Sequence, residues 1–168
     1  LITFMLDTGC RRGEVAGLKW NNVDLSTGEV TICNNLQYTK EKGLYETSPK
    51  SGKSRTIFLT KPALAIMKEW KYEQTVIRFR NAIPISGYCF EGKDGQGMNP
   101  SCISAYFNKL GKVYNIPHFH PHALRHTMAT ISIANGADIV SVSKKLGHAN
   151  TSITLNVYSH ANEEAQRR

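Results

Sequence analysis

The 168-residue chain is 40% hydrophobic and 20% charged, the composition of a folded globular domain rather than a disordered or fibrous one. Its 21 Lys and Arg against 13 Asp and Glu leave a net charge of +8, which favours an anionic partner, nucleic acid ahead of a membrane surface. The four cysteines (Cys10, Cys33, Cys89, Cys102) form no CxxC pair, which argues against a zinc site or a secreted disulfide framework and points to a reducing, cytoplasmic setting.

The chain opens at Leu1 in what reads as mid-helix, as a piece of a longer protein would. Leu1 to Thr8 finishes that helix, with Gly9 suited to a left-handed cap. Arg11 to Leu18 reads as a second short helix, with Val15 and Leu18 facing inward and Glu14 placed three residues on to hold the Arg11 guanidinium. From Asp24 to Leu59 the period falls to two. Strands are expected at Glu29–Cys33, Tyr45–Thr47 and Arg55–Leu59, while Asn34 to Thr39 either continues the first or begins the next. Pro49 to Ser54 is expected to be a hairpin tip carrying Lys50 and Lys53.

Lys61 to Arg80 has the spacing of a long amphipathic helix, with Leu64, Met67, Trp70 and Ile77 inward. Glycines and a proline then mark an irregular region with one short strand, Tyr88 to Phe90. Ser101 to Tyr114 is helical with Ile103, Phe107, Leu110 and Val113 inward. The next helix starts at Pro121 and stops at Gly136, so His122 and Arg125 share a face. An imidazole beside a planar five-donor cation suits a grip on a phosphate. Ile139 to Leu146 is the following helix, ending at Gly147-His148, and Ser152 to Tyr158 is a last short one before a polar tail. The expected fold class is α+β, mainly helical, with a small three-stranded antiparallel sheet at one edge.

Polar groups thus stand at element ends: Arg11, Lys50, His122, Arg125, His148 and Tyr158. Taken with their surroundings and their order, they make the chain resemble the tyrosine recombinases of phages and transposons. Thr8-Gly9-Cys10-Arg11-Arg12-Gly13-Glu14 is similar to that family's TGxRxxE box, and Leu18-Lys19-Trp20 to its LxW element. Pro49 to Arg55 resembles its lysine-bearing hairpin, where the pattern selects Lys50 over Lys53. His122-Ala123-Leu124-Arg125-His126 matches HxLRH, Leu146-Gly147-His148 matches LGH, and Tyr158 falls ten residues later. Asn22 departs from the pattern, which often has an acidic residue there.

The resemblance implies a catalytic domain, residues 1–168, of a phage or conjugative-transposon type of integrase, with the N-terminal DNA-binding domains absent from this fragment. It implies site-specific recombination at double-stranded DNA attachment sites, with no cofactor or metal. Arg11 and Arg125 would clamp the scissile phosphate and Tyr158 would attack it, leaving a 3′-phosphotyrosyl link. Lys50 would protonate the leaving 5′-oxygen, His122 would move protons and His148 would hydrogen-bond the phosphate. Assembly as a tetramer on DNA is implied, and an isolated domain that is largely monomeric. A non-catalytic DNA-binding protein of the same fold and a type IB topoisomerase are the alternatives. His122 and His126 have the i,i+4 spacing of a metal pair, but no third ligand accompanies them and His126 is assigned to the helix interior.

Overall fold

The computed structural model describes residues 1–49 and 52–166, without side chains at 157 and 160–166. Lys50, the residue assigned to leaving-group protonation, lies outside the described residues, as do Arg167 and Arg168 of the polar tail. In chain order come α1 (Ile2–Thr8), α2 (Arg12–Ala16), β1 (Glu29–Ile32), β2 (Asn35–Thr39), β3 (Gly43–Thr47) and β4 (Arg55–Phe58). Then follow α3 (Lys61–Asn81), α4 (Pro100–Val113), α5 (Pro121–Ala134), α6 (Ile139–Leu146) and α7 (Thr151–Gln166). The mainly helical α+β class is as expected.

The sheet is divided differently from the expectation. β1 pairs antiparallel with β4, Ile32 opposite Arg55, and β2 pairs with β3, Asn35 opposite Thr47. There are therefore two two-stranded ladders among the described residues, not one three-stranded sheet. Cys33 and Asn34 separate them on one side, and the longer stretch 48–54 on the other. The tip of the β2–β3 hairpin is Lys40 to Lys42, and the hairpin tip expected at Pro49 to Ser54 falls partly outside the described residues, at Lys50 and Ser51.

Two inward assignments also change. Ile77 is 44% exposed and Val113 65% exposed, while Gln74 and Arg78 are buried on α3. The reason is what this end of α3 meets: the carbonyls of Tyr88 and Cys89 and the carboxylate of Glu91. Gln74 donates to the Tyr88 carbonyl at 3.2 Å and accepts from the Trp20 indole at 2.8 Å, and Arg78 pairs with Glu91. Tyr88 to Phe90 is reduced to a single bridge between Tyr88 and Lys19. Helix α7 runs well past Tyr158, because Ala161, Glu163, Glu164 and Ala165 are good helix formers with no breaker among them.

Two apolar clusters meet at the site. The larger joins α1, α2, the strands, α3 and α4 around residues such as Phe4, Val15, Ile32 and Phe107, and reaches α5 at Leu124. The smaller lies under α5 and α6 and consists of Met128, Ala129, Val142 and Leu146. Arg125 stands on α5 between Leu124 and Met128, at the seam. Gly9 caps α1 there with φ 64, and a Cβ on it would come within 2.5 Å of Met128 Cε and 2.6 Å of Leu146 Cδ2. G9A combines left-handed strain with overpacking and is expected to destabilise the fold by about 2–5 kcal/mol, measured by chemical denaturation.

Candidate active site

Arg11 is the residue before α2, and its own amide N–H donates to Glu14 Oε2 at 2.9 Å while its Nη1 donates to Oε1 at 3.1 Å. The expected tether is present, but it is not an ordinary surface pair. The Glu14 side chain is fully buried and takes a second cation, Arg55, whose Nη1 and Nη2 reach its two oxygens at 2.9 and 2.8 Å. Burial alone would raise the Glu14 carboxyl. Hydrogen bonds and charge from Arg55, then from Arg11, reverse that and hold it below the ordinary carboxylate range.

Arg125 is buried and is fixed by two backbone carbonyls, Gly9 O and Leu146 O, each at 2.6 Å. Two of its five N–H donors are thereby spent and three remain for a ligand. Burial, then the Arg11 guanidinium, lowers its pKa to about 10, which still leaves it cationic at neutral pH. Glu14 binds Arg11 and Arg55, while Arg125 is held by neutral carbonyls, so among the described residues the three arginines leave an excess of positive charge at the seam.

His148 follows Gly147, the left-handed cap of α6 with φ 67. Its Nδ1 lies 2.8 Å from the hydroxyl of Thr154, a fully buried residue of α7. With that hydroxyl as donor, the ring proton sits on Nε2, the tautomer that can donate to an anion. Burial, then Arg125 and Arg11, pushes the His148 pKa down to about 4, so the ring is neutral at pH 7. Because the folded value is depressed, stability contributed above the ordinary value of roughly 6.5 is lost as pH falls through about 4. His122 and His126 are lowered too, chiefly by burial, and act in the same direction. Denaturation midpoints are therefore expected to fall from pH 7 to pH 4, and less steeply in H148Q.

His122 and Arg125 share the face of α5 as expected. The preceding His120 caps that helix, its Nδ1 accepting from the Ala123 amide at 3.1 Å. His126 does not belong to the interior. Its ring packs edge-on to His122 with centroids 4.5 Å apart, and both rings line the cavity described next. The i,i+4 spacing that suggested a metal pair puts His126 on the site's face of the helix. Among the described residues no three His, Cys, Asp or Glu side chains gather as metal ligands.

Arg11, His122, Arg125, His126 and His148 line a cavity of about 330 Å³, together with Leu146, Gly147 and Ile153. A larger cleft of about 780 Å³ shares Arg11, His122 and Arg125 with it and extends along β2 and the start of α4 past Arg12, Tyr38 and Ser104. Four of the six expected site residues are thus brought together. Tyr158 is half-buried on α7, one turn beyond Thr154 and on the same face, but is not part of the cavity wall.

Arg55 was assigned no role from sequence alone. Its signal was available: Arg55 and Ile57 share a face of β4, and Ile57 is buried, so the arginine points inward and needs a partner.

Fold and cavity together define a mainly helical domain that surrounds an anion-sized space with arginines and neutral histidines. The sequence profile of the phage integrase family matches residues 1–165, and the chain belongs to that family. It is 29% identical over 174 residues to a XerC-like tyrosine recombinase of Caldanaerobacter subterraneus, covering 95% of this chain and 44% of that protein. A Tn1549 transposon integrase solved in complex with circular intermediate DNA superposes with TM-score 0.79 at 26% identity, covering 99% of this chain and 58% of that one. XerA recombinase superposes with TM-score 0.71 at 28% identity, covering 97% and 53%. The chain spans less than half the length of the curated relatives it matches.

Proposed function

We propose that this chain is the catalytic domain of a tyrosine-type site-specific DNA recombinase that integrates or excises a mobile element. The observation that carries the reading is the convergence of Arg11, His122, Arg125 and His148 on one cavity, with Tyr158 on the helix to which His148 is bonded. Family membership and the DNA complex of the Tn1549 integrase support it. In the full-length protein, DNA-binding domains would precede this one, and the whole would act in the cytoplasm on double-stranded DNA as a tetramer, the isolated domain being monomeric.

The chemistry follows from the residue types. The scissile phosphate occupies the cavity, its non-bridging oxygens taking N–H donors from Arg11 and Arg125 and the Nε2–H of His148. Tyr158 Oη bonds to phosphorus, and the bond from phosphorus to the 5′-oxygen breaks. Lys50 supplies the proton to that oxygen, and His122 takes part in moving the phenol proton. Ionising a phenol of pKa near 10 costs roughly 4 kcal/mol at pH 7. Charge-assisted hydrogen bonds contribute on the order of 1.5–3 kcal/mol each, so two arginines offset that cost and stabilise the equatorial oxygens of the transition state. The phosphotyrosyl ester keeps the bond energy, and attack by another 5′-hydroxyl reseals the strand.

The test is a nicked suicide duplex incubated with the full-length protein in EDTA. A covalent protein–DNA adduct mapping to the Tyr158 peptide is expected. Cleavage that needs a divalent ion and leaves no adduct would mark a metal nuclease instead.

A further inference from the structure

The three arginines at the seam have different tasks. Arg11 and Arg125 line the cavity, whereas Arg55 stands behind its wall with a side chain only 10% exposed. Yet Arg55 makes the more exacting set of contacts. Its Nη1 and Nη2 fork onto the Glu14 carboxylate at 2.9 and 2.8 Å, and its Nε donates to the Lys145 carbonyl at 2.8 Å. One planar group thus joins α2, β4 and the last turn of α6. Gly147 presses against it so closely that a Cβ there would lie 2.9 Å from Nη1 and 3.1 Å from Cζ.

The last turn of a helix leaves carbonyls without intrahelical partners, and these carry partial negative charge. In α6, three consecutive ones point at the three arginines. Lys145 O accepts from Arg55 at 2.8 Å, Leu146 O from Arg125 at 2.6 Å and Gly147 O from Arg11 at 3.5 Å. His148 is the next residue, so the place of its ring depends on how that turn is held.

Resting on the recombinase reading, we propose that Arg55 is a positioning residue for DNA cleavage: by bonding Glu14 and the end of α6 at once, it sets where Arg11 and His148 stand around the phosphate. It touches no substrate. The competing role is plain neutralisation of the buried Glu14, and the two roles differ in what a lysine can replace. Lysine brings the same charge on a single nitrogen and cannot fork onto a carboxylate while also donating from a second edge to Lys145 O.

R55K in the full-length protein separates them. Its melting temperature and its DNA affinity are expected to stay near those of the unsubstituted protein, while adduct formation at saturating DNA slows by about 10–100-fold, the scale of a misplacement near 1 Å. The His148 ring resonances, assigned with H148Q, are expected to move, and those of the exposed His118 to stay. G147A provides a second variant: it keeps all three arginines but displaces Arg55 from the other side, and its left-handed φ of 67 costs stability as at Gly9. At a temperature where it is folded by circular dichroism, the same slowing of adduct formation at saturating DNA is expected. Adduct formation at the unsubstituted rate in the folded variant overturns the positioning role, as does a loss of DNA affinity that accounts for the whole loss of rate. An unsubstituted protein that forms no adduct overturns the recombinase reading first, and the role of Arg55 with it.

Discussion

Y158F is expected to abolish the covalent adduct on a nicked suicide duplex, with cleavage reduced by on the order of 10⁴-fold or more, as loss of a nucleophile does. DNA binding, followed by gel shift at fixed salt, should persist. The phenyl ring keeps the half-buried packing of Tyr158 on α7, and the cationic groups proposed to meet the DNA backbone lie elsewhere, Arg11 before α2 and Arg125 on α5. The variant also bears on the position of the hydroxyl. Tyr158 stands one turn beyond Thr154, which anchors His148 at 2.8 Å, yet it lies outside the cavity wall. A residual adduct in Y158F would place the nucleophile at another residue.

Much of this site could be read along the chain because its residues mark the ends of elements, where local signals are strong. Gly9, Pro121 and Gly147 announce a cap, a helix start and a cap, and Arg11, His122 and His148 stand beside them. The i,i+3 placement of His122 and Arg125 needs only helical periodicity. What was not legible is what depends on partners distant in sequence. Glu14 was expected to hold Arg11 alone, since nothing local reports that Arg55 on β4 closes on the same carboxylate. His126 was assigned to the interior because a histidine among apolar residues is usually a satisfied core residue. The cavity it lines is assembled from stretches far apart in sequence: Arg11, the face of α5 and Leu146 to Ala149. The sheet was misdivided for a related reason: a change of pairing partner at Cys33 and Asn34 leaves no mark on the alternation of side chains. On α3, the polar Gln74 and Arg78 took the inward positions because their partners belong to an irregular segment with no periodicity to read.

E14L is expected to destabilise the domain by about 3–5 kcal/mol, the usual cost of removing one partner from a buried ion pair. The carboxylate is fully buried and is shared by two cations that would not suffer equally. Arg11 is 27% exposed and can turn toward water, whereas Arg55 is 10% exposed and keeps only its bond to Lys145 O and a weak contact to Cys10. The stranded charge is therefore Arg55. This gives the double variant E14L/R55L a distinct expectation. Replacing a buried pair by apolar groups of similar volume is often nearly neutral, so the second substitution should recover most of the stability lost by the first. Urea denaturation of the unsubstituted protein, both single variants and the double completes the cycle. If R55L adds its own loss on top of E14L, the pair is not the unit that holds the seam. Recovery of stability without recovery of cleavage would separate the two tasks of Glu14: its charge keeps Arg55 buried, and its geometry aims Arg11. The first is replaceable by hydrocarbon, and the second is not, because an apolar side chain offers Arg11 no acceptor to hold its guanidinium toward the phosphate.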